Sequence, residues 1–254
     1  MTEEILYDIR DGIGHVVLNR PQARNALTFA MYERIAEIAA DPGGARALIL
    51  TGMGEKAFAA GTDIAQFRSF TSPEDGIDYE AKLDRILGAL ERCPVPTIAA
   101  ISGACTGGGA GIAAACDLRI AAANARFGFP IARTLGNCLS MANIARLSAL
   151  IGPARVTEMI FTARLLNAQE AQASGLTTET LPDASALTAR ATELAQLIAS
   201  HAPLTLRATK EALRRMRETL PPDADLIRLC YGSVDFREGM DAFLTKRAPM
   251  WTGR

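Results

Sequence analysis

The chain has 254 residues, and hydrophobic residues make up 49% of them. A chain of this length and composition can bury a large core, which fits one substantial domain with a smaller helical appendage. Lysine and arginine number 27 against 28 aspartates and glutamates. This balance excludes the long-range electrostatic field of a nucleic-acid or anionic-membrane binder, so an anionic ligand would have to be bound by local groups.

The cysteines indicate a reducing environment. Their number is odd and no two have CxxC spacing, which argues against a disulfide framework and against a metal site of the zinc type. They are Cys93, Cys105, Cys116, Cys138 and Cys230. The first residues carry acids where a secretory signal would have a basic and then an apolar stretch. We therefore expect a cytoplasmic protein without a metal site.

Short apolar runs alternate with helical segments in the first half of the chain. The runs predict buried strands over residues 15–18, 47–51, 97–101 and 118–122. An amphipathic helix is predicted over residues 29–40. Ser72, followed by a proline and two acids, begins a second helix that should end near Arg92. This alternation predicts an α/β fold.

Helical patterns follow one another from about residue 139, where the strand signals fade. The patterns cover residues 140–152, 153–163, 167–175, 185–201 and 203–216. A break between helices is expected at residues 219–225, which contain two adjacent prolines. The C-terminal third of the chain is thus predicted to be a helical layer.

Two glycine-bearing turns carry the clearest chemical signal. Residues 57–64 and 101–116 each follow a predicted strand and bring bare backbone to a strand end. The second turn has Ile112 where a dinucleotide fingerprint needs its last glycine, and it lacks the lysine of a phosphate-binding Walker loop. A turn of this kind at the start of a helix can still donate backbone N–H hydrogen bonds to a developing negative charge.

Several motifs, in order and over nearly the whole chain, resemble the crotonase, or enoyl-CoA hydratase/isomerase, superfamily. They are LNRPQARNAL (18–27), LILTGMGEKAFAAGTDI (48–64), PVPTIAAISGACTGGGAGIAAACDLRIAAANARFGFP (94–130), NAQEAQASGLTTE (167–179) and EGMDAFLTKRAPMW (238–251). The resemblance implies a crotonase-like spiral of ββα units over residues 1–195 and a helical C-terminal trimerisation region over residues 196–254. It also implies a homotrimer, or a hexamer built as a dimer of trimers, and an acyl-CoA thioester as ligand. No cofactor is expected beyond the coenzyme A of the substrate.

The same resemblance assigns roles to individual residues. Thr62 and Gly108 would supply the two backbone N–H groups of an oxyanion hole that stabilises a thioester enolate. Seven residues would lie along the CoA moiety: Ala23, Arg24, Ala60, Asp63, Ile64, Phe243 and Lys246. Of these, Arg24 and Lys246 would meet the phosphates, and Phe243 and Lys246 are open to contribution by a neighbouring subunit. Apart from that assignment, turn capping and internal hydrogen bonds are the favoured roles of Asp63 and Asp117.

The chain departs from the family pattern at both positions where a hydratase of this family has a glutamate. These positions hold Gly111 and Ile131, and neither side chain can carry a proton. Hydration by paired carboxylates and isomerisation by a single glutamate are therefore unsupported at these sites. Polar residues of the following loop are alternative candidates: Arg133, Thr134, Asn137, Cys138 and Ser140.

Cys138 falls near the place where the family's aryl-CoA dehalogenase has its nucleophilic aspartate, which makes it a candidate catalytic residue. No histidine lies in the motifs to activate it, so a small buried residue is the favoured interpretation. On the second predicted helix, Tyr79, Glu80 and Asp84 are further candidates. Glu80 and Asp84 share a helix face, and such a face is most often solvated.

The leading hypothesis is an acyl-CoA-transforming enzyme that stabilises a thioester enolate, with hydratase, isomerase, decarboxylase and thioester-cleaving chemistry left open. Decarboxylation needs no prior proton abstraction, because loss of CO₂ itself generates the enolate. One alternative is a non-catalytic CoA-thioester-binding or assembly protein. Another is an ordinary hydratase whose acid is Glu80.

Overall fold

The computed structural model describes residues 3–217, 224–252 and 254. The strands in this part of the chain are β1 Ile5–Arg10, β2 Ile13–Leu18, β3 Ala47–Gly52, β4 Ala57–Ala60, β5 Thr97–Ile101, β6 Ala104–Thr106, β7 Leu118–Ala122, β8 Arg126–Gly128, β9 Leu166–Asn167 and β10 Glu179–Leu181. The α-helices are α1 Phe29–Ala40, α2 Pro73–Glu91, α3 Gly108–Ala115, α4 Ile131–Thr134, α5 Met141–Ile151, α6 Pro153–Phe161, α7 Ala168–Ala173, α8 Ala184–Ala199, α9 Pro203–Arg215, α10 Ala224–Tyr231 and α11 Val234–Thr245. Two short 3-10 helices span Pro21–Ala23 and Ile64–Ser69.

The strands form two sheets that the chain visits in turn. The large sheet has the order β1-β2-β3-β5-β7-β10, and every neighbouring pair except β1 with β2 is parallel. The small sheet has the order β4-β6-β8-β9, with β9 antiparallel to β8. Along the chain, β3 and β4 precede α2, β5 and β6 precede α3, and β7 and β8 precede α4. Each turn thus adds one strand to each sheet and then a helix, which is the spiral of ββα units that the sequence motifs imply.

The central strands of the large sheet are buried on both faces. Leu48 and Leu50 of β3 belong to the main core with residues of α1, α2 and α3, whereas Ile49 belongs to a second core with Leu187 and Ala191 of α8. Successive side chains of a strand point to opposite faces, so both faces of β3 are covered. A strand covered on both faces has a continuous apolar sequence, which is why this strand can be identified from sequence.

The predicted elements are largely confirmed. The apolar runs correspond to β2, β3, β5 and β7, and the helical patterns to α1, α2 and α5 to α9. The patterns miss the edge strand β1 and five strands of two to four residues. Two of these, β9 and β10, follow residue 139, so the prediction of a purely helical C-terminal third is wrong there. Most of the predicted break at residues 219–225 lies outside the described residues.

The helices that follow α8 lie on the surface of the spiral. α9 buries none of its residues, and Leu204, Leu213 and the adjoining Met216 are exposed. α10 packs on α2, and α11 contacts α4 and the second 3-10 helix. Within the described ranges, no helix combines the length and the apolar character that crossing a membrane requires. The division predicted between residues 195 and 196 falls inside α8 and stays a prediction.

Gly109 lies where α3 meets β4, and the fit there leaves no space for a side chain. A Cβ atom on Gly109 would lie 2.4 Å from the carbonyl oxygen of Ala59. Gly109→Ala is therefore expected to lower the free energy of unfolding by about 1–3 kcal/mol through overpacking, as measured by urea denaturation. Gly111→Ala on the same helix is the matched control, because its Cβ would come no closer than 3.4 Å to Leu87 Cδ1. Equal destabilisation by both variants would contradict the close approach of α3 to β4.

Candidate active site

A cavity of about 590 Å³ opens beside the N-terminus of α3. Its walls are mainly apolar and come from α1, α2, α3, α11 and the turns after β4 and β6. This volume is within the range of small-molecule sites, roughly 300–1,000 Å³. Thr62, Gly108, Gly111 and Ile131 all line the cavity. The structure therefore brings the predicted oxyanion-hole residues and the two departures from the family pattern to one place.

The pairing of β4 with β6 brings the two glycine-bearing turns together. Ala60, the last residue of β4, pairs in parallel with Thr106, the last residue of β6. The strands point the same way, so both chains leave the small sheet at the same edge. Thr62 and Gly108 each follow two residues after the last pair, and they lie close enough for Thr62 Oγ1 to be 2.9 Å from a Cβ placed on Gly108.

A single glycine joins each strand to its predicted oxyanion-hole residue. Gly61 has a φ of 99° and Gly107 a φ of 51°, a left-handed region that glycine enters without steric cost. Gly108 is the first residue of α3, and within the described ranges the N–H groups of Thr62 and Gly108 donate to no protein acceptor. N–H groups without an acceptor at a helix N-terminus stabilise a negative charge that lies next to them. This arrangement has the donors that an oxyanion hole requires.

Three hydroxyl groups form a hydrogen-bonded chain at the same wall, and we call Tyr32, Thr62 and Tyr79 the hydroxyl triad. Thr62 Oγ1 lies 2.8 Å from Tyr32 Oη and 2.7 Å from Tyr79 Oη. All three residues are buried and line the cavity. Burial raises the pKa of both tyrosines above its usual value. Both phenols therefore stay protonated at neutral pH.

The hydroxyl triad explains why residue 108 is a glycine. A Cβ atom on Gly108 would lie 1.7 Å from Tyr32 Oη, which is far inside van der Waals contact. The phenol oxygen thus occupies the space that any side chain at this position would need. Tyr32 therefore packs directly against one of the two residues that hold the free N–H donors.

Glu80 places a buried carboxylate at the cavity. Its side chain is 2% exposed, and it lines the cavity. The carboxylate accepts hydrogen bonds from Tyr231 Oη at 2.7 Å and from the backbone N–H of Ser140 at 3.2 Å. One turn later on α2, Asp84 accepts a hydrogen bond from Ser140 Oγ at 2.7 Å. The expectation of a solvated face is wrong for Glu80, because α10 and the loop before α5 cover it.

The two positions at which the family resemblance predicts hydratase glutamates hold side chains without a proton-transfer group. Gly111 and Ile131 line the cavity, and the atom nearest to a Cβ on Gly111 would be a methyl carbon of Leu87 at 3.4 Å. Among the described residues, the acids along the cavity are Asp63 and Glu80. Throughout the part of the chain that the structure describes, no three His, Cys, Asp or Glu residues are arranged to hold a metal ion.

The polar residues of α4 and of the loop that follows it have mainly structural contacts. Thr134 and Asn137 line the cavity, whereas Arg133, Cys138 and Ser140 do not. Thr134 Oγ1 donates within its own helical turn, and Asn137 Nδ2 donates to Tyr231 Oη at 3.3 Å. Ser140 caps α5. These contacts agree with the interpretation that the loop residues are structural or line the substrate site.

Cys138 is only partly buried and lies outside the set of residues that line the cavity. Its thiol forms a hydrogen bond with Cys230 of α10, and this bond lowers the pKa of Cys230 to about 7, against the opposing effect of burial. Cys138 therefore interacts with α10. A catalytic role for Cys138 stays a prediction.

Most residues expected along the CoA moiety lie around the same cavity. Those that line it are Ala23, Arg24, Ala60, Asp63, Ile64 and Phe243. Lys246, which caps the C-terminus of α11, does not. Phe243 reaches the cavity from α11 of the same chain, and a contribution by a neighbouring subunit stays a prediction. Exposed Arg24 remains a cation at the cavity rim.

The two aspartates near the motifs have structural partners, as the sequence predicts. Asp63 forms an ion pair with Arg20 at 3.0 Å and caps the 3-10 helix that follows it. Asp117 accepts a hydrogen bond from the backbone N–H of Thr97 and forms an ion pair with Lys210 at 2.6 Å. These contacts hold the surrounding loops together.

Sequence reasoning misses two tyrosines of the site. Tyr32 lies on the buried face of α1 with Met31, Ile35 and Ala36, where a tyrosine is easily counted as core. Its hydroxyl on an otherwise aliphatic face is a usable signal, because buried tyrosine hydroxyls need a hydrogen-bond partner. Tyr231 comes to the site only through the packing of α10 on α2, which no local pattern reveals.

Comparisons with known proteins agree on one family. Residues 8–254 match the family model for enoyl-CoA hydratase/isomerase. A probable enoyl-CoA hydratase of Mycobacterium bovis is 36% identical over 259 residues, covering 99% of both chains. The crotonyl-CoA hydratase of Syntrophomonas wolfei is 33% identical and covers 96% of both chains.

Solved structures agree over the full length. An enoyl-CoA hydratase/carnithine racemase from Magnetospirillum magneticum matches with a TM-score of 0.79 at 33% identity, covering 100% of this chain and 97% of the other. A methylmalonyl-CoA decarboxylase in complex with 2-nitronate-propionyl-CoA matches with a TM-score of 0.90 at 28% identity, covering 100% of both chains. The chain therefore belongs to the enoyl-CoA hydratase/isomerase family.

Proposed function

We propose that this protein converts an acyl-CoA thioester through an enolate that is held by the backbone N–H groups of Thr62 and Gly108. The proposal rests on the parallel pairing of β4 with β6. This pairing brings together, at the cavity, two backbone N–H groups that have no acceptor among the described residues. An enolate carries negative charge on the thioester oxygen, and donors fixed in advance around that oxygen lower its free energy. Loss of one such donor typically lowers kcat by about 100- to 1,000-fold.

Decarboxylation of a malonyl-type thioester is the reaction that this site supports best. The bond between the α-carbon and the carboxylate breaks, its electron pair forms the enolate, and CO₂ leaves. The α-carbon then takes up a proton. No base is needed to begin the reaction, which suits a cavity with Gly111 and Ile131 at the family's glutamate positions. The full-length likeness to a methylmalonyl-CoA decarboxylase supports this choice.

A panel of CoA thioesters tests the reaction and the substrate class together. We expect malonyl-CoA or methylmalonyl-CoA to lose carbon dioxide and crotonyl-CoA to remain unchanged, with mass spectrometry of the products as the measurement. Hydration of crotonyl-CoA without decarboxylation of any malonyl-type thioester would contradict this assignment. Binding without conversion across the panel would instead support the alternative of a non-catalytic CoA-thioester-binding protein.

The oxyanion hole is tested by two substitutions at one position. Gly108→Ala and Gly108→Pro both add a Cβ against Tyr32 Oη, but only proline removes the N–H. Proline is compatible with the first residue of a helix, so α3 can still form. We expect kcat of Gly108→Pro to lie about 100-fold or more below that of Gly108→Ala, measured at saturating substrate. Equal rates would show that the N–H of residue 108 does not stabilise the transition state.

A hydratase that uses Glu80 is the second candidate function. The observation that favours it is the buried Glu80 carboxylate at the cavity, beside the Tyr231 hydroxyl. A carboxylate at the cavity can accept a proton from an attacking water molecule, which is the role of a general base in hydration.

Glu80→Gln and Asp84→Asn separate this candidate from the first. Each removes one carboxylate from the same helix, but Asp84 does not line the cavity. If Glu80 moves the proton, Glu80→Gln lowers the rate of crotonyl-CoA hydration by about 100-fold or more, whereas Asp84→Asn has a much smaller effect. Crotonyl-CoA hydration that survives Glu80→Gln would exclude Glu80 as the group that transfers the proton.

We further propose a homotrimer, either free or doubled to a hexamer, in the cytoplasm, with coenzyme A entering as part of the substrate. The apolar residues exposed on and beside α9 support an assembly surface: Leu204, Leu213 and Met216. Light scattering of the purified protein is expected to give the mass of a trimer or hexamer. A monomer at micromolar concentration would contradict the assembly.

A further inference from the structure

The hydroxyl triad lies beside the two free N–H donors, and its two tyrosines lie outside the family motifs. Thr62 contributes both a backbone N–H to the proposed hole and a side-chain hydroxyl to the triad. Tyr32 Oη lies against Gly108, with 1.7 Å between it and a Cβ placed there. One end of the hydroxyl chain therefore adjoins both residues of the proposed oxyanion hole.

The protons of the triad must find their acceptors within the triad or in the cavity. Each hydroxyl has one proton to donate, so Tyr32, Thr62 and Tyr79 together have three. The hydrogen bonds of normal length within the triad number two, at 2.8 Å and 2.7 Å. The two phenols also share a side-chain hydrogen bond, which acts to lower the pKa of Tyr32 and to raise the pKa of Tyr79, so Tyr79 is its donor. Among the described residues, no acceptor outside the triad takes the third proton.

The direction of the chain decides which hydroxyl keeps the third proton. If Tyr79 donates to Thr62 and Thr62 donates to Tyr32, the phenol proton of Tyr32 remains free. Tyr32 is 1% exposed and lines the cavity, so a ligand in the cavity is the acceptor within its reach. A chain of hydrogen bonds polarises its last member, which strengthens a bond that Tyr32 donates.

We propose that Tyr32 donates its free hydroxyl proton to the thioester oxygen of the enolate and is the third donor of the oxyanion hole. Thr62 Oγ1 and Tyr79 Oη act through Tyr32 and position it. This inference rests on the proposed function and adds a side-chain donor to its two backbone donors. A neutral phenol suits the role, because it strengthens the hole without a cation that would bind every anionic ligand. Hydrogen bonds to ionised acceptors are roughly twice as strong as those between neutral groups, so the donor favours the enolate over the resting thioester.

The test compares two CoA thioesters of the same carbon skeleton. Propionyl-CoA has a neutral thioester. The nitronate of 2-nitropropionyl-CoA has a planar α-carbon and a negative charge that is conjugated with the thioester carbonyl. Calorimetric titration gives Kd for both in the wild type, in Tyr32→Phe and in Tyr79→Phe. The matched control is Tyr7→Phe, which removes a tyrosine hydroxyl bonded to the Pro42 carbonyl and away from the cavity lining.

We expect Tyr32→Phe to weaken nitronate binding by about 10-fold or more and to leave the Kd of propionyl-CoA within about twofold. Tyr79→Phe is expected to weaken nitronate binding by a smaller factor, and Tyr7→Phe is expected to change neither Kd. With a turned-over substrate, Tyr32→Phe should lower kcat with little change in KM, as befits an interaction made mainly in the transition state.

Three outcomes would overturn the inference in different ways. Unchanged nitronate binding in Tyr32→Phe would reduce the triad to core packing while leaving the proposed function intact. Equal weakening of both thioesters would indicate a change of cavity shape and not a lost donor. If the folded wild type bound neither thioester, the proposed function would fail first and this inference with it.

Discussion

β4 and β6 lie side by side as parallel strands, and each passes into a glycine turn immediately after their last pair, Ala60 with Thr106. The rest of the site depends on this register. A slip of one residue would move Thr62 and Gly108 out of step and turn the strand side chains to the opposite face. The irregular pairing between Ala57 and Ala59 adjusts the register before the turns are reached. The packing of Gly109 against Ala59 then fixes where α3 begins relative to β4.

The hydroxyl triad places a second requirement on the same position. Gly107 is needed for its backbone angle, whereas Gly108 is needed because the Tyr32 phenol fills the space of its side chain. The two neighbouring glycines are therefore required for different physical reasons. Because the phenol comes from α1, Thr62 and Gly108 are also in contact with the first helix of the fold. A substitution on the buried face of α1 is therefore expected to alter the cavity, although α1 contains none of the family motifs.

Much of the fold could be predicted from sequence, because its central strands and its helices are long enough to show a pattern. The run over residues 47–51 is apolar on both faces, and Ser72 with Pro73 begins α2 where the sequence indicates. Strands such as β4 and β6, of four and three residues, owe their conformation to pairing and not to propensity, so local patterns miss them. At the site, the glycine turns were identifiable as motifs. The burial of Glu80 cannot be predicted from a local pattern, because it results from the packing of α10, about 150 residues later in the chain.

The absence of glutamates at positions 111 and 131 changes the electrostatics of the cavity as well as its proton chemistry. A malonyl-type thioester brings its own carboxylate, and its reaction forms an enolate that is also an anion. Two unit charges about 4 Å apart interact by about 4 kcal/mol at an effective dielectric constant of 20. A carboxylate on α3 or α4 would therefore repel both the substrate and the intermediate. Glycine and isoleucine remove that repulsion, and the charge of Glu80 is compensated by donors from Tyr231 and Ser140. Under the proposed function, neutral hydroxyl and N–H donors would stabilise the anion without adding a negative charge, and this balance suits decarboxylation better than hydration.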